Sequence, residues 1–180
     1  MVPVLEVYDA SSGDDRLVGT ARFSLRRGSI STTFAYDEAW LANGRGSYVI
    51  DPDLPLMAGS QHCSGIPGAF RDCSPDRWGR ALIKREAREE ALQNDLPLHQ
   101  LDDVDFLIGV FDQTREGALR FCEPGGSFLA ASSPIPPIVQ LPALLHASYD
   151  VARDDAGRDE IKALLAAGSG SLGGARPKAS

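Results

Sequence analysis

The first third of the chain alternates apolar and polar positions in the manner of short strands. Val2, Val4, Val7 and Tyr8 form one apolar run, which ends in the turn cluster Ala10-Ser11-Ser12-Gly13-Asp14-Asp15. Leu17–Leu25 follows with partial two-residue alternation. Gly28 punctuates the chain before Ile30–Tyr36, a run rich in β-branched and aromatic residues. Strands recurring at about ten-residue spacing predict an antiparallel sheet or a small barrel. One helical turn is expected over Asp37–Leu41 and a further strand at Tyr48-Val49-Ile50, closed by Asp51-Pro52-Asp53-Leu54-Pro55.

The period changes in the middle of the chain. Ser74-Pro75-Asp76 is a helix start: the serine can accept a free backbone N–H, proline fits the first helical position, and aspartate faces the positive end. The helix is expected to run to Gln93-Asn94. Trp78, Ala81, Leu82 and Leu92 fall on one side and Ile83, Ala87 and Ala91 on another, with Arg85 and Glu89 interrupting the first stripe. A short helix over Asp102–Val110 and a strand over Gly117–Phe121 follow. Ser132-Ser133-Pro134-Ile135-Pro136-Pro137 can hold neither helix nor central strand, because its prolines fix φ and remove donors. Two helices are then expected, Leu141–Ala152 and Asp159–Ala166. The fold class is α+β. A β-rich, barrel-like subdomain with helices is expected over residues 1–125, a linker over 126–138, and a helical segment leading into a further lobe over 139–180.

Composition narrows the function. Eighteen basic residues against 25 acidic ones leave a net charge of −7, which argues against a free-standing nucleic-acid binder. No apolar run approaches the length of a membrane span. The start, Met-Val-Pro-Val-Leu-Glu, has neither a basic region nor an apolar core, so no secretory signal is expected. Cys63, Cys73 and Cys122 are odd in number and form no C-x-x-C pair, which points to a reducing cytoplasm. His62 beside Cys63 is poor spacing for one metal, and no metal site is expected.

The glycine-rich segment Gly168-Ser169-Gly170-Ser171-Leu172-Gly173-Gly174-Ala175-Arg176-Pro177-Lys178 carries the clearest chemical signal. Glycines let backbone N–H groups approach a phosphate, and Arg176 and Lys178 add positive charge beside it. Gly168-x-Gly170-x-x-Gly173 matches the dinucleotide fingerprint in spelling, but a helical pattern precedes it where a strand is required. A flexible Gly/Ser tail is the alternative reading of these residues.

Ser-Leu-Gly-Gly-Ala-Arg-Pro-Lys-Ala, residues 171–179, resembles the glycine-rich loop of HipA-family kinases, toxins of bacterial toxin–antitoxin pairs. Other segments are similar to that family in the same order. They are Phe34-Ala35-Tyr36 with Trp40-Leu41, Asp53-Leu54-Pro55-Leu56, and Pro67-Gly68-Ala69-Phe70 with Ser74-Pro75-Asp76-Arg77-Trp78-Gly79-Arg80. Leu107-Ile108-Gly109-Val110, followed by Thr114-Arg115-x-Gly117-Ala118-Leu119-Arg120-Phe121, completes the series.

The resemblance implies an ATP- and Mg²⁺-dependent serine/threonine kinase that phosphorylates a target such as an aminoacyl-tRNA synthetase. It implies a HipB-like helix-turn-helix antitoxin as partner, with DNA reached only through that antitoxin, and no membrane. Carried over residue by residue, Gly173, Gly174, Ala175, Arg176, Pro177 and Lys178 match the nucleotide loop. Ser171 matches the loop serine that such kinases phosphorylate on themselves, with Ser169 as the weaker candidate. The strand lysine and the catalytic and metal-binding aspartates are expected downstream, so these 180 residues alone are expected to be inactive. The alternative is a detached accessory or antitoxin-like module that docks on a separate kinase.

Plainer roles are expected for the other polar and aromatic residues. Trp40 and Trp78 are expected in cores. Asp76 and Arg80 are expected to form an i,i+4 surface pair. Asp102, Asp103 and Asp105 complement a helix start, and Cys73 has no base beside it in the sequence.

Overall fold

The structure is a computed structural model and describes residues 3–112, 115–129, 141–153, 157, 159, 161 and 163–164. The chain forms two compact units, one from residues 1–73 and 117–129, the other from 74–116 and 130–180.

The first unit is built on a five-stranded antiparallel sheet in the order β4-β3-β2-β1-β5. Its strands are β1 (Val4–Asp9), β2 (Arg16–Arg26), β3 (Ser29–Tyr36), β4 (Ser60–Ser64) and β5 (Leu119–Cys122). The α+β class expected from the pattern is the class observed. Arg26 pairs with Ser29, leaving Arg27 and Gly28 as a two-residue loop with φ of 50° and 78°. Two positive φ values give the turn whose twist matches that of the strands it joins. Alternation sends Leu5, Val7 and Asp9 to the buried side of β1, and Thr32, Phe34 and Tyr36 to that of β3.

Two short helices lie in this unit, α1 (Glu38–Ala42) and α2 (Gly68–Asp72). Phe70 of α2 is fully buried and packs edge-on against Phe23, Phe34 and Phe121 at ring separations of 6.5, 6.1 and 5.2 Å. One helical turn therefore joins β2, β3 and β5 in a single aromatic core. Asp51 holds α2 in place: its Oδ2 accepts the Ala69 N–H at 2.7 Å and its Oδ1 the Asp53 N–H at 2.9 Å.

Tyr48-Val49-Ile50 is not a strand. It lies in an irregular segment pinned by Tyr36, whose hydroxyl donates to the Leu54 carbonyl at 2.7 Å and accepts the Ile50 N–H at 3.3 Å. The strand in this part of the chain is β4, Ser-Gln-His-Cys-Ser, which pattern reading passes over because it has no apolar alternation. Adjacent strand residues face opposite sides. His62 accordingly meets Thr33 Oγ1 at 2.9 Å, while Cys63 stands opposite Thr32 on the other face.

The second unit holds α3 (Arg77–Gln93), α4 (Asp103–Ile108) and α5 (Leu141–Ala152); Asp159, Ile161, Ala163 and Leu164 are also helical. Its core gathers Trp78, Leu82, Ile83, Phe106, Val110, Leu144, Ala147, Ile161 and Leu164. Asp76, not Ser74, caps α3, accepting the Gly79 N–H at 2.8 Å. The aspartate carboxylate reaches the third helical N–H from the cap position, leaving Ser74 and Pro75 outside the helix. Arg80 pairs with Asp103 of α4 at 2.7 Å rather than with Asp76, and its guanidinium lies over Phe106. Leu92 is exposed, at 67% of its surface, despite its place in the apolar stripe. Arg85 and Glu89 approach to 3.8 Å along α3, and Arg85 also donates to the Val151 carbonyl at the end of α5.

Candidate functional site

The residues that carry the nucleotide-loop expectation, Gly173, Gly174, Ala175, Arg176, Pro177 and Lys178, lie outside the described residues, as do Ser171 and Ser169. The polar centres that can be described lie in the two units separately.

In the first unit, Asp9 is the most deeply buried carboxylate, with no exposed side-chain surface. It ends β1, and the hairpin that follows brings Ser11 and Arg16 back to it. Oδ1 accepts the Ser11 N–H and the Tyr48 hydroxyl, each at 3.0 Å; Oδ2 accepts the Ser11 hydroxyl at 2.9 Å and Arg16 Nη2 at 2.8 Å. Burial pushes this carboxyl up, but the hydrogen bonds from Arg16, Ser11 and Tyr48 outweigh it and hold the group below the usual range. Arg16 in turn donates to the Gly46 carbonyl at 2.9 Å and lies over the Trp40 ring. Tyr48 closes on the same ring edge-on at 5.5 Å. This cluster is the reason Tyr48 leaves the strand pattern, since its hydroxyl is drawn to Asp9. A carboxylate with four donors in place has its acceptor sites filled. It clamps the turn to the loop at 43–48 and has no lone pair left for proton transfer.

Asp102 and Asp105 are committed in the same way. Asp102 accepts from Val104 and Asp105, and Asp105 accepts the Asp102 N–H at 2.9 Å, a complete capping box. Among the described residues, no group of three or more His, Cys, Asp or Glu side chains is placed to hold a metal ion.

A second polar centre lies on the other face of the sheet, where β1 pairs with β5. Tyr8 donates to Glu6 Oε2 at 2.9 Å, and the Cys122 thiol reaches the same oxygen at 3.5 Å. The Glu6 hydrogen bond, then burial, push the Tyr8 hydroxyl up to about 12. The neutral phenol is the form that the fold favours. Its stabilisation is complete below the ordinary tyrosine value and is lost as the pH rises through that value toward 12. Ultraviolet difference titration of the wild type against Tyr8→Phe should therefore show one late-ionising tyrosine, and Glu6→Gln should return it toward 10. A Tyr8 signal near 10 in the wild type would break the link to Glu6.

The second unit carries a groove of 470 Å³ between the C-terminal half of α3 and the chain that turns back from it, lined among others by Ala87, Arg88, Ala91, Leu96 and Leu98. The reversal is a helix-ending turn in which the Leu96 N–H bonds the Ala91 carbonyl at 2.8 Å across Asp95, whose φ is 51°.

A family model for the HipA N-terminal domain matches residues 13–121, more than half of the chain. The chain belongs to the HipA N-terminal domain family. The match runs from the β1–β2 hairpin to β5, and so takes in the whole of α3 and α4. The Asp9 side of the clamp lies just before the HipA match, while Arg16, Trp40 and Tyr48 lie within it. No curated protein and no solved structure matches the chain. Among the described residues no helix is long and apolar enough to cross a membrane.

Proposed function

We propose that this HipA N-terminal domain belongs to a HipA-like protein serine/threonine kinase, the toxin of a bacterial toxin–antitoxin pair working in the cytoplasm. The supporting observation is the family match over residues 13–121, followed in the sequence by Ser171-Leu172-Gly173-Gly174-Ala175-Arg176-Pro177-Lys178. In this reading Gly173–Lys178 hold the ATP phosphates, and Mg²⁺ is held by acidic residues from beyond this chain. The described residues serve as scaffold and docking surface: Asp9, Asp51, Asp102 and Asp105 all cap or clamp backbone.

Ser171 is assigned as the regulatory phosphorylation site. A phosphoserine brings about −1.5 to −2 charges next to the nucleotide's own phosphates, which repels ATP and switches the enzyme off. The test is the complete gene product with Mg-ATP and a labelled phosphate, followed by site mapping and an ATP-affinity measurement on Ser171→Asp. Transfer of label, phosphate on Ser171 and weakened ATP binding by Ser171→Asp are expected. A complete product that neither binds ATP nor transfers phosphate would overturn the kinase assignment. If it instead co-purifies with a separately encoded kinase, the accessory-module reading takes its place.

A further inference from the structure

We propose that the groove on the second unit is a docking site for an amphipathic segment of a partner protein, with two or three large apolar side chains flanked by acidic ones. The inference goes beyond the kinase reading and depends on none of its residues.

The groove follows from the local sequence. Ala87 and Ala91 stand one turn apart on α3, so the helix offers a shallow trough where larger side chains would fill the space. After Asp95 the chain doubles back, and Leu96, Pro97 and Leu98 form the opposite wall. Leu96 and Leu98 keep 58% and 66% of their surface in solvent, although they line a concavity. Apolar side chains around a trough of small residues suit a helix laid in the groove.

Polarity separates a peptide from a small molecule. A small-molecule site holds a few polar groups at fixed places within it. Among the described residues, no buried polar side-chain atom without a hydrogen-bond partner lines this groove. Its charges stand at the rim instead.

The sign of that rim identifies the partner. The chain as a whole carries −7 with its histidines neutral, yet among the described residues the groove is bordered by two cations, Lys84 and Arg88, against a single acid, Glu90. Lys84 lies over the Phe106 ring at 5.6 Å, and His99 is 3.4 Å from Asp105. Arg88 is exposed and pairs with no acid among the described residues. An acidic flank on the partner would meet Arg88 and Lys84 while its apolar residues reach Ala87, Ala91, Leu96 and Leu98.

The test is a peptide-display selection on the whole chain, with the enriched peptides synthesised, labelled and measured by fluorescence anisotropy. Enriched peptides should pair large apolar residues at helical spacing with Asp or Glu. Leu98→Glu and Arg88→Glu should each weaken binding about tenfold or more, while Leu92→Ser, exposed on α3 but outside the lining, should leave it unchanged. Arg88→Glu alters an exposed side chain, so it carries the test if Leu98→Glu fails to fold. Peptides without acidic residues, or peptides indifferent to both charge-changing variants, would overturn the proposal. So would a concentration-dependent dimer in sedimentation that Leu98→Glu dissolves, because the occupant would then be a second copy of the chain.

Discussion

Trp78→Ala is expected to destabilise the second unit by about 3–5 kcal/mol, the usual cost of emptying a fully buried aromatic site. Trp78 is 7% exposed and sits in the first turn of α3, directly after the Asp76 cap. Its neighbours in the core come from separate parts of the chain: Leu82 and Ile83 from α3, Phe106 from α4, Leu144 and Ala147 from α5, with Ile161 and Leu164 beyond. These side chains are anchored on separate helices, so they cannot all close on the vacated volume and a cavity is expected to remain. Among the described residues the indole N–H has no hydrogen-bond partner, so Trp78→Phe loses contact area but no polar interaction there and should cost less. Urea denaturation of the two variants measures this. A midpoint for Trp78→Ala equal to that of the parent would place the ring at the surface and remove it from this core.

Gly19→Ala is the corresponding expectation for the first unit. Gly19 pairs with Val7 on one side and Tyr36 on the other, where the register of β1 against β2 slips between Val7 and Tyr8. A Cβ at this position would overlap the Ala35 carbonyl oxygen and come within 2.7 Å of Phe34 Cζ and 2.9 Å of Tyr36 Cα. Two of these neighbours are backbone atoms of β3, which cannot give way without breaking the β2–β3 ladder. Overpacking of this kind is expected to cost about 3 kcal/mol, read as a loss of denaturation midpoint. A variant as stable as the parent would show that β2 and β3 can separate locally without penalty.

Much of the fold was legible because local rules produce it. The β1, β2 and β3 runs carry their own alternation, and the Arg27-Gly28 turn sits between two of them. The α5 helix has the expected bounds, Leu141–Ala152. The Ser74-Pro75-Asp76 pattern puts the start of α3 two residues early, because Ser74 and Asp76 both have side chains able to cap; which one does depends on where the chain enters the helix. Leu92 stays exposed for another reason: an apolar stripe marks a face, but whether that face has a neighbour along its full length is a matter of packing. The site was less legible than the fold. Asp9 reads as an ordinary turn residue until Arg16 and Tyr48 are seen to converge on it from 7 and 39 residues away.

The sequence by itself determined the α+β class, most of the strands and helices, and the family resemblance, because these rest on periodicity, turn chemistry and residue order within short windows. Tertiary structure alone decided that Ser60–Ser64 is a strand, that β5 returns to pair with β1, and that Asp9 is a clamp. A polar segment such as β4 becomes a strand when a neighbouring edge supplies partners for its backbone N–H and C=O groups, and β3 supplies them here. That partner lies about thirty residues away in the chain, and β1 lies more than a hundred from β5. No local window holds both members of either pair.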